Sequence, residues 1–325
     1  MLKNSTLFKL LTATAATLAM ANASHVWAQQ KSVAVTAITD HPSLEAVRDG
    51  VKEILNEAGY VEGKNLRWQY QSAQGNTAIA AQIARKYAGD KPDAIVAIST
   101  PSAQTMMAAT DSIPLIFTAV TDPVAAKLTP SWEPSGTNVT GVSDMLEVKP
   151  QIELILRVMP NVKRIGMVYN PAEANSVAVV KTLEELLPQY GLKLVTAAAP
   201  RTVDVGSAGR SLVGKVDVFF VNTDNNVVSA VEALVKVGQD TQIPVFAADG
   251  QVVMRGAVAA VGIDYKDIGR QAGRIILRIF DGEKPGDIAP QVMENPLLYV
   301  NPGAAKLQGL TFTDDLIADA DVVIK

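Results

Sequence analysis

The sequence contains no cysteine and only two histidines, His25 and His41, among its 325 residues. The absence of cysteine excludes disulfides, cysteine-ligated zinc, iron–sulfur clusters and cysteine nucleophiles. The sequence also lacks the glycine-rich phosphate loop, the dinucleotide-binding turn and the G-x-S-x-G nucleophile motif. We therefore expect no catalytic residues, no metal site and no cofactor.

The chain has no excess of positive charge, since 29 Lys+Arg stand against 33 Asp+Glu, a formal net charge of −4. A phosphate backbone selects a basic surface, so nucleic acid is not an expected partner. Hydrophobic residues make up 48% of the chain and charged residues 19%, which argues against intrinsic disorder. At about 100–200 residues per domain, this length predicts two domains.

The first 28 residues have the pattern of a secretory signal peptide. Lys3 and Lys9 form a positive start, and Leu10–Met20 is an apolar run of 11 residues. Small residues follow, and we expect cleavage after Ala28, with Ala23 as the second choice. A membrane anchor would need about 20 apolar residues. Without cysteine after the apolar run, the chain cannot be a lipid-anchored lipoprotein.

Cleavage after Ala28 leaves 27 Lys+Arg against 33 Asp+Glu, a formal charge of −6, with His41 as the only histidine. No later segment approaches the length of a membrane-spanning helix. Because the exported chain has no lipid tether, a compartment that retains it fits best, and we expect a periplasmic location.

Beyond residue 30, short β-branched apolar runs alternate with longer segments of helical periodicity. This alternation, with nearly continuous apolar strands, predicts parallel sheets covered by helices on both faces. The predicted strands are Ser32–Ile38, Leu66–Tyr70, Asp93–Ile98, Leu115–Ala119, Arg164–Tyr169, Leu192–Thr196, Asp217–Val221 and Val245–Ala247. The predicted helices are Leu44–Ala58, Thr77–Tyr87, Ser102–Ala109, Ala172–Leu187, Val203–Val213, Val227–Val237 and Tyr265–Phe280.

The two halves of the chain share a local pattern. Asp93 opens an apolar strand and is followed, after a helix, by Ile113-Pro114 and a second strand; Asp217 and Ile243-Pro244 repeat the arrangement. Any α/β sheet could yield such a match, but two doubly wound lobes of similar topology explain it directly. We therefore predict an α/β fold of two doubly wound parallel-sheet lobes.

Polar residues followed by proline stand at four predicted strand-to-helix junctions: His41-Pro42, Thr100-Pro101, Asp122-Pro123 and Asn170-Pro171. Such residues cap helices in any α/β protein. The same junctions lie at the carboxyl edge of a parallel sheet, where ligands bind. Free N–H groups at helix N-termini favour an anion. Two lobes facing each other would form a cleft for a small polar ligand, typically a carboxylate.

The candidate ligand-binding residues are hydroxyls, amides and carboxylates near these junctions, together with the lone histidine. We expect a ligand carboxylate at Thr100, Ser102 and Thr121, and an ammonium partner at Asp249, then Asp224, then Asp122. The complete set of candidates is His41, Thr100, Ser102, Thr121, Asp122, Ser143, Asn170, Asn175, Ser176, Thr223, Asp224, Asn225 and Asp249.

The sequence resembles the substrate-binding proteins of ABC importers, which have the type I periplasmic-binding fold, and more narrowly the TrpX-like family of tryptophan-binding proteins. Asn222 departs from the family pattern, which has proline in this run. Glu45 and the Ala248-Asp249-Gly250 turn also depart from it. The resemblance is carried by His41–Leu44, Gly59–Thr77, Asp93–Thr105, Ile113–Ala125, Asn138–Met145, Tyr169–Val177 and Val213–Val231.

The resemblance implies a monomeric receptor that carries a small, amino-acid-like ligand, of aromatic type, to an ABC permease in the inner membrane. It also implies a three-crossing hinge, near Ser143-Asp144, Gly262–Asp264 and Pro290, with the Tyr265–Phe280 helix on the first lobe. The expected lobes are residues 29–143 with 264–290, and residues 144–263 with 291–325.

The sequence bears on three alternatives to this transport function. A ligand sensor that presents a small molecule to a membrane signalling partner remains open. An enzyme on the same scaffold is disfavoured by the single histidine and the missing nucleophile–base motif. A transcription regulator would need a basic DNA-binding headpiece at the N-terminus, where the signal peptide stands instead.

Overall fold

Short, buried apolar strands form two separate sheets. The computed structural model describes residues 30–325, so the predicted signal peptide and its cleavage positions lie outside the described residues. The strands are β1 (Lys31–Ala37), β2 (Leu66–Ser72), β3 (Ala94–Ile98), β4 (Leu115–Thr118), β5 (Val139–Ser143), β6 (Arg164–Tyr169), β7 (Lys193–Ala198), β8 (Val218–Val221), β9 (Val245–Ala247), β10 (Ala259–Gly262), β11 (Gln291–Val292), β12 (Leu297–Val300) and β13 (Val322–Val323).

Helices connect most of these strands and cover both faces of each sheet. None of the helices in residues 30–325 has the length and apolar character needed to cross a bilayer. The helices are α1 (Pro42–Glu57), α2 (Thr77–Asp90), α3 (Thr100–Met107), α4 (Val148–Val158), α5 (Ala174–Leu186), α6 (Val205–Ser211), α7 (Asn225–Ser229), α8 (Val231–Thr241), α9 (Gly250–Met254), α10 (Tyr265–Phe280), α11 (Pro302–Leu307) and α12 (Asp314–Ala318).

The two sheets repeat one strand order. The first sheet runs β11-β5-β4-β3-β1-β2 and the second runs β13-β12-β10-β9-β8-β6-β7. Neighbouring strands are parallel except for β10 and β12, which pair antiparallel. The order β2-β1-β3-β4-β5 of the first lobe therefore matches β7-β6-β8-β9-β10 of the second. The predicted two doubly wound lobes are confirmed, with one antiparallel pair as the exception.

The repeated aspartates play equivalent parts in the two lobes. The Asp93 carboxylate accepts the Ser32 backbone N–H at 2.7 Å, and the Asp217 carboxylate accepts the Arg164 N–H at 2.8 Å. Each carboxylate thus joins the start of one strand to the start of its neighbour. The carbonyls of Pro114 and Pro244 likewise accept N–H groups from β3 and β8. The sequence repeat therefore reflects the same contacts between neighbouring strands in both lobes.

The chain passes between the sheets three times. It leaves the first sheet after Ser143, returns after Gly262 so that α10 packs against α1, and leaves again before Leu297. The third passage lies beyond the predicted Pro290, because Gln291 and Val292 pair with β5 and extend the edge of the first sheet. The predicted lobe boundary at residue 290 therefore moves past Val292.

Some helix boundaries differ from the sequence prediction. Helix α3 begins at Thr100 instead of Ser102. The single helix predicted over Val227–Val237 is two helices, α7 and α8, separated at Ala230. The Asp224 carboxylate accepts two backbone N–H groups of α7, so this short helix starts directly at the end of β8. This polar contact, which periodicity does not report, sets the start of α7.

Helices α1 and α10 pack with almost no space between their backbones. A Cβ atom on Gly269 would overlap the carbonyl of Val47, and one on Gly50 would overlap the carbonyl of Lys266. Glycine at both positions allows the returning helix α10 to lie directly on the first lobe. This contact fixes the hinge segment that precedes α10.

We expect Gly269→Ala to lower the free energy of unfolding by about 1–3 kcal/mol, because the helices must move apart to fit the methyl group. Urea unfolding followed by circular dichroism measures the change. Gly89→Ala is the control: it lies in α2 with open space around it, and should be neutral or slightly stabilising. Equal urea midpoints for the two variants would contradict the proposed close packing.

Candidate functional site

Two adjoining cavities lie between the lobes, at the carboxyl ends of the parallel strands. The two cavities share Asp144 and Thr223. We call the first the apolar cavity; its lining is Thr121, Asp144, Leu146, Val148, Gln151, Val179, Phe220, Asn222, Thr223 and Ala248. We call the second the polar cavity; its lining is His41, Leu44, Ser99, Ala119, Asp144, Asn175, Thr223, Asn225, Val228, Asp249 and Tyr265.

Four residues that line the polar cavity have buried polar atoms without a hydrogen-bond partner among residues 30–325. They are His41 Nδ1, Ser99 Oγ, Asp144 Oδ1 and Asn175 Oδ1. Buried polar groups are nearly always hydrogen-bonded, and each unsatisfied one costs about 1–3 kcal/mol. Four of them around one cavity indicate a surface arranged for a polar ligand.

Two of the residues that line the polar cavity have positive φ although neither is glycine. Ser99, after β3, has φ 77°, and Ala119, after β4, has φ 51°. Such conformations cost about 1–3 kcal/mol and gather at functional sites. Ser99 precedes α3, yet its side chain does not cap that helix. The first N–H groups of α3 therefore lack a side-chain partner, which favours a bound anion.

Two carboxyl groups line the polar cavity. Asp249 accepts hydrogen bonds from the Ser43 hydroxyl and from the Gln251 N–H at 2.8 Å. Asp144 accepts one from the Tyr265 hydroxyl at 2.9 Å through Oδ2. Burial raises the pKa of Asp249 to about 6 and raises that of Asp144 as well. Within residues 30–325 neither carboxylate has a lysine or arginine at ion-pair distance.

His41 cannot supply the missing positive charge. Burial, together with the charge of Arg255, lowers the pKa of His41 to about 3, so the imidazole is neutral at pH 7. Arg255 itself binds Glu232 at 2.6 Å. The polar cavity therefore combines acidic groups with neutral donors and acceptors, and a cationic ligand group would complement it.

A third buried acid, Glu173, positions two amides of the wall. Its carboxylate accepts the Asn225 Nδ2 at 2.6 Å and the Asn175 Nδ2 at 3.2 Å. Asp224 lies close to it and accepts four donors, among them the Ser176 hydroxyl at 2.6 Å. Burial and the charge of Asp224 raise the pKa of Glu173 to about 7. Glu173 accepts four hydrogen bonds as well, and burial also raises the pKa of Asp224.

The structure brings six of the predicted site residues to the cavity walls: His41, Thr121, Asn175, Thr223, Asn225 and Asp249. The other predicted residues are not among those that line the two cavities, namely Thr100, Ser102, Asp122, Ser143, Asn170, Ser176 and Asp224. Of the three carboxylates predicted as ammonium partners, Asp249, which is ranked first, lines a cavity. The Asp122 carboxylate accepts the N–H groups of Val124 and Ala125, and Asp224 caps α7, so both are occupied within their own lobes.

Sequence reasoning did not select several residues of the walls. Asp144 was named only as the site of a chain crossing, although a hinge crossing necessarily lies at the floor of the cleft. Tyr265 directly follows the second crossing, and for the same reason it lies at the floor of the cleft. Ser99 is next to the selected Thr100. Gln151 and Asn222 line the apolar cavity, and Asn222 is marked in the sequence by its departure from the family pattern.

The two lobes are in direct contact across the cleft. The Thr121 and Thr223 hydroxyls lie 3.0 Å apart, and those of Thr39 and Ser229 lie 3.3 Å apart. The hydroxyl of Ser43 on the first lobe donates to Asp249 on the second. These hydrogen bonds define a closed arrangement of the lobes around the two cavities.

Two doubly wound lobes, three connecting passages and a closed polar cleft define a bilobed solute-binding protein. The family model described as ABC transporter substrate binding protein matches residues 32–324, and the chain belongs to this family. The resemblance inferred from the sequence is therefore confirmed. The family comprises substrate-binding proteins and not enzymes. No cluster of three or more potential metal ligands occurs in the described part of the chain.

Characterised relatives carry names that concern aromatic amino acids. The chain is 37% identical, over 86% of its length and 81% of the relative's, to a tyrosine-binding protein of Clostridioides difficile. A solved ABC domain from Streptococcus pneumonia in complex with L-Trp is 31% identical, with a TM-score of 0.87, covering 91% of this chain and 100% of that one.

A third comparison concerns an open structure. It is the ligand-free, open form of a Clostridium difficile substrate-binding protein with adhesive properties, 37% identical to this chain. The match covers 91% of this chain and 99% of that one, with a TM-score of 0.68. The present structure thus superposes less well on this open form than on the less identical L-Trp complex.

The raised pKa of Glu173 makes stability depend on pH. The folded-state pKa of Glu173, about 7, exceeds the ordinary 4.5. Protonated Glu173 therefore adds in full to the free energy of unfolding below pH 4.5, and this contribution is lost as the pH rises towards 7. The unfolding free energy of the ligand-free parent should therefore fall between pH 5 and pH 8. In Glu173→Gln we expect this fall to be smaller by more than about 1 kcal/mol.

Urea unfolding of both proteins at the two pH values measures this difference. Glu184→Gln, on the exposed side of α5, is the control and should keep the parent's pH dependence. A parent-like pH dependence in Glu173→Gln would show that Glu173 does not hold the proton.

Proposed function

We propose that the protein is a periplasmic receptor that binds an aromatic α-amino acid between its lobes and delivers it to an ABC permease in the inner membrane. The observation that carries this proposal is the division of the cleft into a polar and an apolar cavity. An aromatic amino acid has the same division, with two charged groups at one end and a ring at the other.

The polar cavity suits the charged end of such a ligand. Asp144 and Asp249 are buried carboxylates without a cation, and an ammonium group would neutralise them. The ligand carboxylate is placed at the start of α3, beside Ser99, with the Thr100 and Ser102 hydroxyls behind. Those three hydroxyls are buried and have no partner among the described residues.

The apolar cavity suits the ring. Its wall contains Leu146, Val148, Val179, Phe220 and Ala248, which offer a hydrophobic surface to an aromatic side chain. The names of the tyrosine-binding relative and of the L-Trp complex support the same ligand class. The predicted signal peptide supports the periplasmic location.

We expect Asp144→Asn and Asp249→Asn each to reduce affinity for L-tryptophan or L-tyrosine by two orders of magnitude or more. Removing one side of a buried charge pair leaves the other uncompensated, at about 3–5 kcal/mol, and about 1.4 kcal/mol is tenfold. Titration calorimetry measures the affinities. Asp122→Asn, which alters a capping carboxylate outside both cavities, should bind like the parent.

Parent-like affinity in both Asp144→Asn and Asp249→Asn would refute the ammonium site. A loss confined to Asp122→Asn would move that site to the first lobe. If neither amino acid binds the parent protein, the proposed ligand class is wrong.

Ligand binding should close the lobes, because a ligand that touches both lobes binds the closed form better and shifts the population towards it. We expect a smaller radius of gyration on adding saturating ligand, measured by small-angle scattering. The hydrogen bond between Thr121 and Thr223 forms across the cleft in the closed form. An unchanged radius of gyration with a confirmed ligand would contradict the closure.

A further inference from the structure

Asn222 presents an unsatisfied hydrogen-bond acceptor to the apolar cavity. The residue follows β8 and is 2% exposed, and its Oδ1 has no partner among the described residues. The cavity around it is lined mainly by hydrophobic groups such as Phe220 and Val179. A buried amide oxygen in such surroundings is costly unless a bound molecule supplies a donor.

The hydrogen bonds of Ser176 determine which end of the Asn222 amide faces the cavity. The Ser176 hydroxyl donates its hydrogen to Asp224 Oδ2 at 2.6 Å. Its oxygen can then only accept, so the Asn222 atom that lies 3.3 Å away must be the amide nitrogen. The Asn222 oxygen is therefore the end of the amide that Ser176 does not hold, and the residue lines the apolar cavity.

We propose that Asn222 Oδ1 accepts a hydrogen bond from a donor on the ring of the bound amino acid, a phenol O–H or an indole N–H. The residue thereby selects a donor-bearing aromatic ligand over phenylalanine. This inference rests on the proposed function and assigns the specificity of the same site. Gln151, 5% exposed and also on the cavity wall, adds a second amide close to the ring.

The selectivity follows from desolvation. The Asn222 oxygen is buried whether or not the ligand bears a donor, but only a donor-bearing ring satisfies it. A site built to bond a ligand hydroxyl or N–H rejects the analogue that lacks it, because the polar group of the site is then left unpaired. We expect a preference of about 10- to 100-fold for the donor-bearing ligand.

The test uses ligand pairs that differ in the donor. Titration calorimetry compares L-tyrosine with L-phenylalanine, and L-tryptophan with 3-benzothienyl-L-alanine, in which sulfur replaces the indole N–H. In the parent protein at least one pair should differ tenfold or more. This arm needs no substitution and does not depend on the folding of a variant.

Asn222→Leu replaces the amide by an apolar branched side chain and should bring the affinities of that pair to within about threefold. Val179→Ala is the matched control on the same wall. It removes hydrophobic contact without removing a polar group, so it should weaken both ligands of a pair similarly and keep their ratio.

Parent ratios within threefold for both pairs, with ligand bound, would overturn the role of Asn222 and leave the proposed function standing. A tenfold ratio that survives Asn222→Leu would overturn the assignment to this residue. Absence of binding by all four compounds would overturn the inference together with the proposed function.

Discussion

The structure depends on polar groups that are removed from water where two parallel sheets face each other. Parallel strands present all their carboxyl ends at one edge, and the connecting turns there supply hydroxyls, amides and helix N-termini. Closing two such edges against each other buries these groups. Each must then find a partner in the protein or in a ligand, since an unsatisfied one costs about 1–3 kcal/mol. The polar groups of the cleft thus lower the stability of the protein where they stay unpaired, and those same groups are available to a ligand.

Residues behind the cavity walls form hydrogen bonds to many of these buried polar groups. Asp224 satisfies four donors, and Glu173 orients Asn175 and Asn225 towards the polar cavity. These acids hold in place, by hydrogen bonds, the side chains that line the polar cavity. Some of the groups left without partners, such as Asp144 Oδ1 and Ser99 Oγ, belong to residues of the walls themselves.

The hinge and the site are one region. Asp144 lies directly after the first passage between the lobes, and Tyr265, which donates to it, directly follows the second. Movement of the lobes therefore changes the surroundings of a carboxylate that also faces the ligand. The close packing of α10 on α1, which needs Gly50 and Gly269, holds the Tyr265 side of this pair on the first lobe.

The sequence by itself determined the α/β class, the two equivalent lobes and most strands, because hydrophobic periodicity and the repeated Asp93 and Asp217 are local signals. It also placed polar residues at the correct edge. Only the tertiary structure decided which of them reach the cavities. Asp224 and Asp249 have equivalent positions after strands, yet one is enclosed by donors of its own lobe and the other meets Ser43 across the cleft. Partners that distant in sequence leave no local pattern, since packing alone brings them together.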